Sequence, residues 1–260
     1  MLRVVRNAVS PADERSTSYP DASIVVPVNA QGDIPAAVEL LSDLGRYDGP
    51  HRLDIILVVN NYPDDQPPRE IDDLKRVGAR VIAVPSIRQS GYSVGITARA
   101  HGLRAADVEA SILFDADCRV PHPTPLVNWY VSVLAGGAAA AYTGVGHHEL
   151  PSGVTVRLRV FIHHAGRWAK RVLFGIPTIR GSNYAVMRTQ FLELFDRGLI
   201  VHDMNVGPAI KSSGGRIEYS GAANMRVLTS GRFLRPGWMR LLRYIPKRIA
   251  YNVRMRRGRG

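Results

Sequence analysis

Short apolar segments alternate with helical patterns through the first 114 residues, and this alternation constrains the fold more than any other feature of the sequence. Each apolar segment is too short for a helix and is followed by Asn, Pro or Asp, which favours a buried strand ending in a turn. The predicted strands are 23–28, 54–59, 80–84 and 111–114, and the predicted helices are one that Asp33 caps and Gly45 ends, 71–77 and 94–105. Short connections between alternating strands and helices predict an α/β fold, with a mostly parallel, Rossmann-like sheet flanked by helices on both faces.

The second half of the chain is less regular. Its pattern predicts strands at Ala138–Val145 and Ile217–Tyr219 and helices at Val160–Leu173 and Tyr184–Phe195. No internal repeat or low-complexity linker interrupts it, so we expect one integrated domain rather than two.

The positive charge is concentrated at the C-terminal end. The chain of 260 residues has a formal net charge of +12, and residues 232–260 hold ten Lys or Arg and no Asp or Glu. The preceding 231 residues are therefore close to neutral, with 24 basic and 22 acidic side chains. A domain that binds polyanions over its whole surface would carry a large positive charge, and this near-neutral body does not.

Residues 232–260 form a basic amphipathic tail, in which apolar residues recur from Trp238 to Ile249 with cations between them and Pro246 splits the pattern. Such a tail can dock on an anionic membrane, since each cation near the leaflet contributes about 1 kcal/mol. The alternative is a helix packed on the domain's own surface. Nucleic-acid binding is a weaker third interpretation, because no nucleic-acid-binding module accompanies the charge.

Cys118 is the single cysteine, which excludes an intrachain disulfide and a cysteine-based zinc site. The first 20 residues are polar and resemble no secretory leader. We therefore expect a cytoplasmic protein, held peripherally at the inner face of the cell membrane if the tail binds lipid. We expect Cys118 itself to be a small buried residue.

Polar residues follow the predicted strands at the edge where ligands bind in open α/β sheets. Pro27 and Asn29 end the first strand, Asn60 ends the second, and Asp115-Ala116-Asp117 follows the fourth. Two carboxylates two residues apart can hold a divalent metal, Mg²⁺ or Mn²⁺, and leave coordination positions for phosphate oxygens. The alternative is a turn in which the two Asp side chains bond nearby backbone amides.

The order of these motifs resembles the family 2 glycosyltransferases of the GT-A fold, over about residues 22–232. The segments that carry the resemblance are Val26-Pro-Val-Asn29, Gly95-Ile-Thr-Ala-Arg99-Ala-His-Gly102, Phe114-Asp115-Ala116-Asp117, Gly181-Ser182-Asn183-Tyr-Ala-Val-Met-Arg188 and His202-Asp203, followed by Gly214-Gly215-Arg-Ile-Glu-Tyr219. The resemblance implies inverting transfer of a sugar from a nucleoside diphosphate sugar to an acceptor hydroxyl. It implies UDP as the nucleotide, with GDP or dTDP as alternatives. Together with the basic tail, it leads to the hypothesis of an acceptor that is lipid-linked or close to the membrane.

The same resemblance assigns roles to individual residues. Asp117 and Asp115 would hold the metal, and Asp115 could instead bond the ribose. The other donor-binding residues would be Pro27, Asn29, Asn60, Arg99 and Ala116, and the acceptor-side residues would be Gly181, Ser182, Asn183 and His202.

Asp203 is the predicted general base, a carboxylate that takes the proton of the acceptor hydroxyl as it attacks. The alternative, which is compatible with the first, is that Asp203 caps the helix that follows it.

The sequence also departs from the family pattern. Asn60 stands where an acidic residue contacts the base, and His202 replaces an acidic residue. The downstream His that completes the metal site in many members is absent, and Thr229-Ser-Gly-Arg232 occupies its region. Asn60 can still hydrogen-bond the base but changes the charge there, which bears on base preference. The missing His puts the strength of metal binding in question, with Arg232 as an assisting cation.

Several polar residues have two interpretations. Arg99 could reach a donor phosphate or bond a carboxylate within the fold. Trp168 could stack on an acceptor sugar, but its helical spacing with Phe161 and Val172 is more typical of a core. Gly181-Ser182-Asn183 could be an acceptor-side loop or the start of a helix. The pairs His147-His148 and His163-His164 are not expected to share a metal, because adjacent side chains diverge.

Two functions from different classes therefore remain. The first is a metal-dependent glycosyltransferase domain at 21–231, with a nucleotide-sugar half at 21–120 and an acceptor half at 121–231, between a lead-in at 1–20 and the tail at 232–260. The second is a non-catalytic protein of the same fold that docks on a membrane or nucleic acid through the tail. A sugar-phosphate nucleotidyltransferase is disfavoured, because no glycine-rich loop follows residue 28.

Overall fold

A computed structural model describes residues 20–63, 66–150, 153–173, 175–179 and 181–231. The predicted tail at 232–260 and all but the last residue of the predicted lead-in lie outside the described residues. Among the helices within those ranges, none is both long and apolar enough to cross a membrane.

The described residues form a three-layer α/β structure. Its strands are β1 Ala22–Asn29, β2 Leu53–Asn60, β3 Arg80–Val84, β4 Ala110–Phe114, β5 Ala140–Thr143, β6 Val145–His148, β7 Asn183–Met187, β8 Ile217–Ser220 and β9 Val227–Ser230. Its α-helices are α1 Ile34–Leu44, α2 Ile71–Arg76, α3 Val94–Ala105, α4 Pro123–Ala135, α5 Val154–Val172, α6 Arg188–Asp196 and α7 Asp203–Ser212, with a 3₁₀ turn at Ala223–Met225.

Seven of the described strands form one mostly parallel sheet, in the order β3-β2-β1-β4-β7-β5-β8. The neighbours β3, β2, β1 and β4 are all parallel, which confirms the fold predicted from the alternation. β7 is antiparallel to both β4 and β5. β6 and β9 pair in parallel as a separate two-stranded sheet.

Alternate side chains of the central strands enter two separate cores. Ile24, Val26 and Val28 of β1 pack on one face with α1 and α4, while Val25 packs on the other face with α3, α6 and α7. Side chains of a strand alternate between faces, so a strand buried on both sides reads as a continuous apolar run.

Gly102 allows helix α3 to lie close against the sheet. A Cβ at this position would stand 2.4 Å from Cγ1 of Val25 and 3.0 Å from Cγ2 of Val58. This close approach brings Arg99, one turn earlier on α3, into the interior of the domain.

The second half contains the main differences from the predicted elements. The helix predicted at Tyr184–Phe195 is confirmed only from Arg188 onwards, and its first part is wrong because 183–187 form β7. Pairing with both β4 and β5 makes this apolar run a buried central strand. The predicted strand 138–145 is divided at Gly144 into β5 and β6, and α4 and β9 are elements that the pattern did not predict.

Helix α5 confirms a predicted helix but not its predicted burial. Trp168, Phe161 and Val172 are 53%, 68% and 54% exposed, so the interpretation of this stripe as core is wrong. Cys118 is fully buried, as expected, and its thiol donates to the carbonyl oxygen of Ser182.

Candidate functional site

A cleft of about 340 Å³ opens at the carboxyl ends of β1, β2 and β4. Six predicted donor-side or metal residues line it: Pro27, Asn29, Asn60, Asp115, Ala116 and Asp117. Asp33, Val94 and Gly95 also line it, without having been predicted as site residues. The strand ends therefore converge as the topology of a parallel sheet requires.

The two strand-end asparagines shape one wall of the cleft. Asn60 is only 4% exposed, and its Nδ2 donates to the carbonyl oxygens of Val28 and Val58 at 3.2 and 3.3 Å. Asn29 Oδ1 accepts from the backbone N–H of Gln31 and from Nδ2 of Asn61, at 3.1 and 2.9 Å. The amide hydrogens of Asn60 are thus used within the fold, which leaves its Oδ1 as the atom suited to a ligand that donates.

Asp33 lies at the N-cap position of α1, as predicted, but does not cap that helix through its side chain. Its Oδ2 instead accepts from the backbone N–H of Asn29 at 3.3 Å. In the sequence, the only indication that Asp33 lines the cleft is its position shortly after β1. The same position suits an ordinary helix cap.

The acidic loop is tied to the separate two-stranded sheet. Thr229 of β9 donates its hydroxyl to Oδ1 of Asp117 at 3.3 Å, and Nε2 of His148 on β6 lies 2.9 Å from the carbonyl oxygen of Asp117. The family pattern has a metal-binding His in the segment 229–232, and this chain has none there. Thr229 is the residue of that segment that contacts Asp117. Arg232, the suggested assisting cation, lies outside the described residues.

Arg99 is the centre of the site's electrostatics rather than a group in contact with solvent. Its side chain is 1% exposed, forms an ion pair with Asp115, and places Nη1 2.9 Å from Oδ1 of Asp203. Its Nη2 also donates to the carbonyl oxygen of Gly181 at 2.8 Å. The structure therefore corrects the predicted donor contact of Arg99, since this guanidinium bonds carboxylates within the fold.

Two glycines make room for this cluster. A Cβ on Gly181 would lie 2.7 Å from Nη2 of Arg99, 3.0 Å from Oδ1 of Asp115 and 3.1 Å from Oδ2 of Asp203. A Cβ on Gly95 would lie 3.2 Å from Nη1 of Arg99. Gly181 was predicted as an acceptor-side residue, and its geometry shows why a side chain is excluded there.

Charge is not balanced in the cluster. Burial lowers the pKa of Arg99, but Asp203 and Asp115 outweigh this effect and keep it above its ordinary value, so the guanidinium stays charged. Burial, together with the carboxylates of Asp203 and Asp117, raises the pKa of Asp115 to about 6 against the attraction of Arg99. Arg99 therefore pairs with two carboxylates, and a third, Asp117, lies close enough to Asp115 to raise its pKa, so the site favours a further positive charge.

Asp203 begins helix α7 instead of capping it. His202 occupies the N-cap position, and its Nδ1 accepts from the backbone N–H of Met204 at 3.3 Å, so the capping interpretation of Asp203 is wrong. Asp203 is 20% exposed and held by Arg99. The exposed His202, which was predicted on the acceptor side, has a local role in starting the helix.

Ser182 and Asn183 do not form an open acceptor loop. Both are buried, and Asn183 accepts from the Tyr130 hydroxyl and donates to Oγ1 of Thr143. The segment leads into strand β7, so neither the predicted acceptor-side role of these two side chains nor the helix start agrees with the structure.

No protein-family model and no curated protein sequence matches the chain. Solved structures do match it. The mannosyltransferase PcManGT from Pyrobaculum calidifontis, in complex with GDP-Man and Mn²⁺, is 18% identical with a TM-score of 0.54, over 82% of this chain and 58% of that one. TarS 1–349 of S. aureus, in complex with UDP-GlcNAc, is 14% identical with a TM-score of 0.52, over 83% of this chain and 59% of that one.

These likenesses establish the fold, which is the GT-A type: an α/β, Rossmann-like, mostly parallel sheet flanked by helices. The chain spans about three fifths of the length of either structure.

Proposed function

We propose that the chain is a metal-dependent glycosyltransferase that transfers a sugar from a nucleoside diphosphate sugar to an acceptor hydroxyl. The observation that carries the proposal is the excess of carboxylates around Arg99, in a cleft at the carboxyl ends of parallel strands. The GT-A-type fold supports it, because PcManGT and TarS, which share this fold, were solved with GDP-Man and UDP-GlcNAc. The order of the motifs favours family 2 and inversion at the sugar carbon.

The residues present fit a divalent cation held jointly by protein and donor. The described residues contain no group of three His, Cys, Asp or Glu side chains able to hold a metal alone. Asp117 and Asp115 line the cleft as a pair, and Mg²⁺ is commonly bound through one or two carboxylates with substrate phosphates completing its shell. When bound, Mg²⁺ or Mn²⁺ would neutralise charge on the diphosphate leaving group.

The wall formed by Asn29, Asp33 and Asn60 would receive the nucleoside. Because Nδ2 of Asn60 already donates to two backbone carbonyls, its Oδ1 is left to accept from a base N–H. Uracil, thymine and guanine carry such a ring N–H, whereas adenine and cytosine present an unprotonated ring nitrogen. This ring N–H is common to all three bases, so the order of the motifs, rather than Asn60, favours UDP, with GDP and dTDP as the alternatives.

Asp203 would be the general base. As the acceptor oxygen forms its bond to the sugar carbon and the bond to the diphosphate breaks, the hydroxyl proton passes to the Asp203 carboxylate. The ion pair between Arg99 and Oδ1 would hold that carboxylate in place. Arg99 is then a positioning residue that orients Asp115 and Asp203 together.

The test combines donor binding with turnover. We expect a UDP-, GDP- or dTDP-sugar with Mn²⁺ to raise the melting temperature, since a ligand that binds only the folded state stabilises it. We expect the full chain to release nucleoside diphosphate from that donor as the sugar passes to a hydroxyl acceptor, or to water where no acceptor is added. Asp203→Asn should retain the donor-induced shift and lose turnover, whereas the exposed control Asp72→Asn should retain both.

Three outcomes count against the proposal. If no donor raises the melting temperature, the non-catalytic protein of the same fold is the function that is left. Full turnover by Asp203→Asn would remove this residue from the mechanism, and a product of retained configuration would contradict inversion.

A further inference from the structure

Helix α5 presents an apolar face to solvent. None of its residues is buried, and large apolar side chains on the helix and just after it are 40–82% exposed. They are Val154, Leu158, Phe161, Ile162, Trp168, Val172 and Leu173. Their spacing of three, four and seven residues places them on one side of the helix.

The opposite, polar side of α5 lies against the protein. Arg167 donates to the carbonyl oxygen of Thr178 at 3.1 Å, and the guanidinium of Arg171 lies 3.7 Å from the centre of the Tyr219 ring. Val160 and His164 line a second cavity, of about 470 Å³, together with residues of β6. The helix is thus oriented opposite to an ordinary surface helix, which buries its apolar stripe in the core.

Charge decides between the surfaces that could cover this apolar face. Residues 153–173 contain five Lys or Arg and no Asp or Glu. A second copy of α5 would bring the same positive charge, and residues 232–260 carry ten basic and no acidic side chains. Both would be repelled. An anionic lipid leaflet receives the apolar side chains and is attracted by the net positive charge of the helix, of whose five cations Arg157 is exposed and the others are half-buried.

We propose that α5 binds to an anionic membrane surface, lying in the plane of the leaflet with Phe161 and Trp168 inserted. A basic helix with Trp, Phe and Leu on its apolar face is typical of this binding mode. Nineteen residues form a helix about 28 Å long, which offers an extended contact. This docking surface is independent of sugar transfer, because it is separate from the cleft and needs neither donor nor metal.

The test is cosedimentation of the full chain with vesicles of equal parts phosphatidylglycerol and phosphatidylcholine, without nucleotide or metal. Phe161→Glu and Trp168→Glu should each weaken binding about tenfold, because each removes one inserted aromatic side chain. Leu199→Glu is the matched control, since Leu199 is 43% exposed but lies outside α5, and it should bind like the unmodified chain. Pure phosphatidylcholine vesicles should bind much more weakly.

A second measurement separates α5 from residues 232–260. The chain contains three Trp, at 129, 168 and 238, so Trp129→Phe combined with Trp238→Phe leaves Trp168 as the single reporter. Brominated lipid should quench its fluorescence. Binding without quenching and without loss in Phe161→Glu would assign docking to residues 232–260 and overturn the proposal. Absence of vesicle binding, or self-association that Phe161→Glu abolishes, would overturn it too.

Discussion

Two arginine–carboxylate networks in this molecule have opposite charge balances. In the first, Asp43 is 6% exposed, and its carboxylate accepts from Arg46, Arg119 and the backbone N–H of Val120 at 2.8–3.0 Å. Arg119 also pairs with Glu39, so two cations meet two carboxylates. In the second, Arg99 is the one cation among the described residues that pairs with Asp115 and Asp203, and Asp117 adds a third negative charge beside Asp115.

The difference appears in the pKa of the two aspartates. Burial raises the pKa of Asp43, but the hydrogen bonds and charges of Arg119 and the bond from Val120 outweigh it, so the net pKa is lowered. Burial and neighbouring carboxylates raise the pKa of Asp115. A balanced network stabilises the fold by itself, whereas an unbalanced one at an open cleft is suited to a cationic ligand.

The largest expected effect is the loss of Arg99. Arg99→Met should lower the free energy of unfolding by about 3 to 5 kcal/mol, because removing one partner of a buried pair leaves unpaired charge in the interior. Arg119→Met, at a 38% exposed side chain, should cost only about 1 kcal/mol. Urea unfolding curves of both variants measure the contrast, and equal losses would contradict it.

Gly181→Ala should have the second largest effect. The added Cβ would stand within 3.1 Å of all three charged side chains of the cluster and force them apart, at about 1 to 3 kcal/mol of stability. It should also weaken donor binding. Gly32→Ala is the matched control, because its Cβ would meet nothing within 4 Å. Unchanged stability and donor binding in Gly181→Ala would show that the cluster does not need this packing.

The pH dependence of stability should differ in sign between Asp115 and Asp43. Asp115 titrates near 3.8 in the unfolded chain and near 6 in the fold, so its effect on stability becomes less favourable as pH rises through that window. Asp43 has a folded pKa below 3.8, so its contribution is present above that pH and is lost on acidification.

Unfolding of Asp115→Asn and Asp43→Asn, followed from about pH 2 to 7, measures these two contributions against the unmodified chain, because the Asp43 contribution is lost only below pH 3.8. Stability differences that change in the same direction with pH would contradict the contrast. Mn²⁺ should add stability at the upper end of this range and little at the lower end, where Asp115 is protonated.

Thr229→Val should have the smallest effect. It removes one hydrogen bond to Asp117 without changing charge or size, so donor affinity in the presence of Mn²⁺ should fall by about 1 kcal/mol or less. Thr229→His offers the opposite test, since an imidazole beside Asp117 should strengthen Mn²⁺ binding. A titration of Mn²⁺ into both variants measures the two changes in Mn²⁺ affinity. Tighter Mn²⁺ binding by Thr229→Val than by the unmodified chain would contradict the prediction.

The sequence predicted the first half of the fold because each element there is specified locally. Strands 80–84 and helix 94–105 agree residue for residue with β3 and α3. β7 was mistaken for a helix because a strand buried on both faces has no period of its own, and only its pairing with β4 and β5 identifies it. The exposed face of α5 could not be predicted, since an amphipathic pattern does not specify what covers it.

Part of the candidate site was also predictable, because the strands that carry it are specified locally. Asn29, Asn60 and Asp117 were placed correctly at the cleft, because strand ends of a parallel sheet meet at one edge. The sequence could not decide between the two interpretations of Arg99, because its partners lie 16 and 104 residues along the chain, at Asp115 and Asp203. Only the folded structure shows that one guanidinium serves both.

The most direct test of the unbalanced cleft is a calorimetric titration of Mn²⁺, at neutral pH and in the presence of UDP, into the unmodified chain, Asp117→Asn and Asp43→Asn. We expect saturable binding of one Mn²⁺ to the unmodified chain and to a folded Asp43→Asn, and its loss in Asp117→Asn. Binding that Asp117→Asn retains, or no Mn²⁺ binding to the unmodified chain, would contradict the inference that the carboxylates around Arg99 form a cation site.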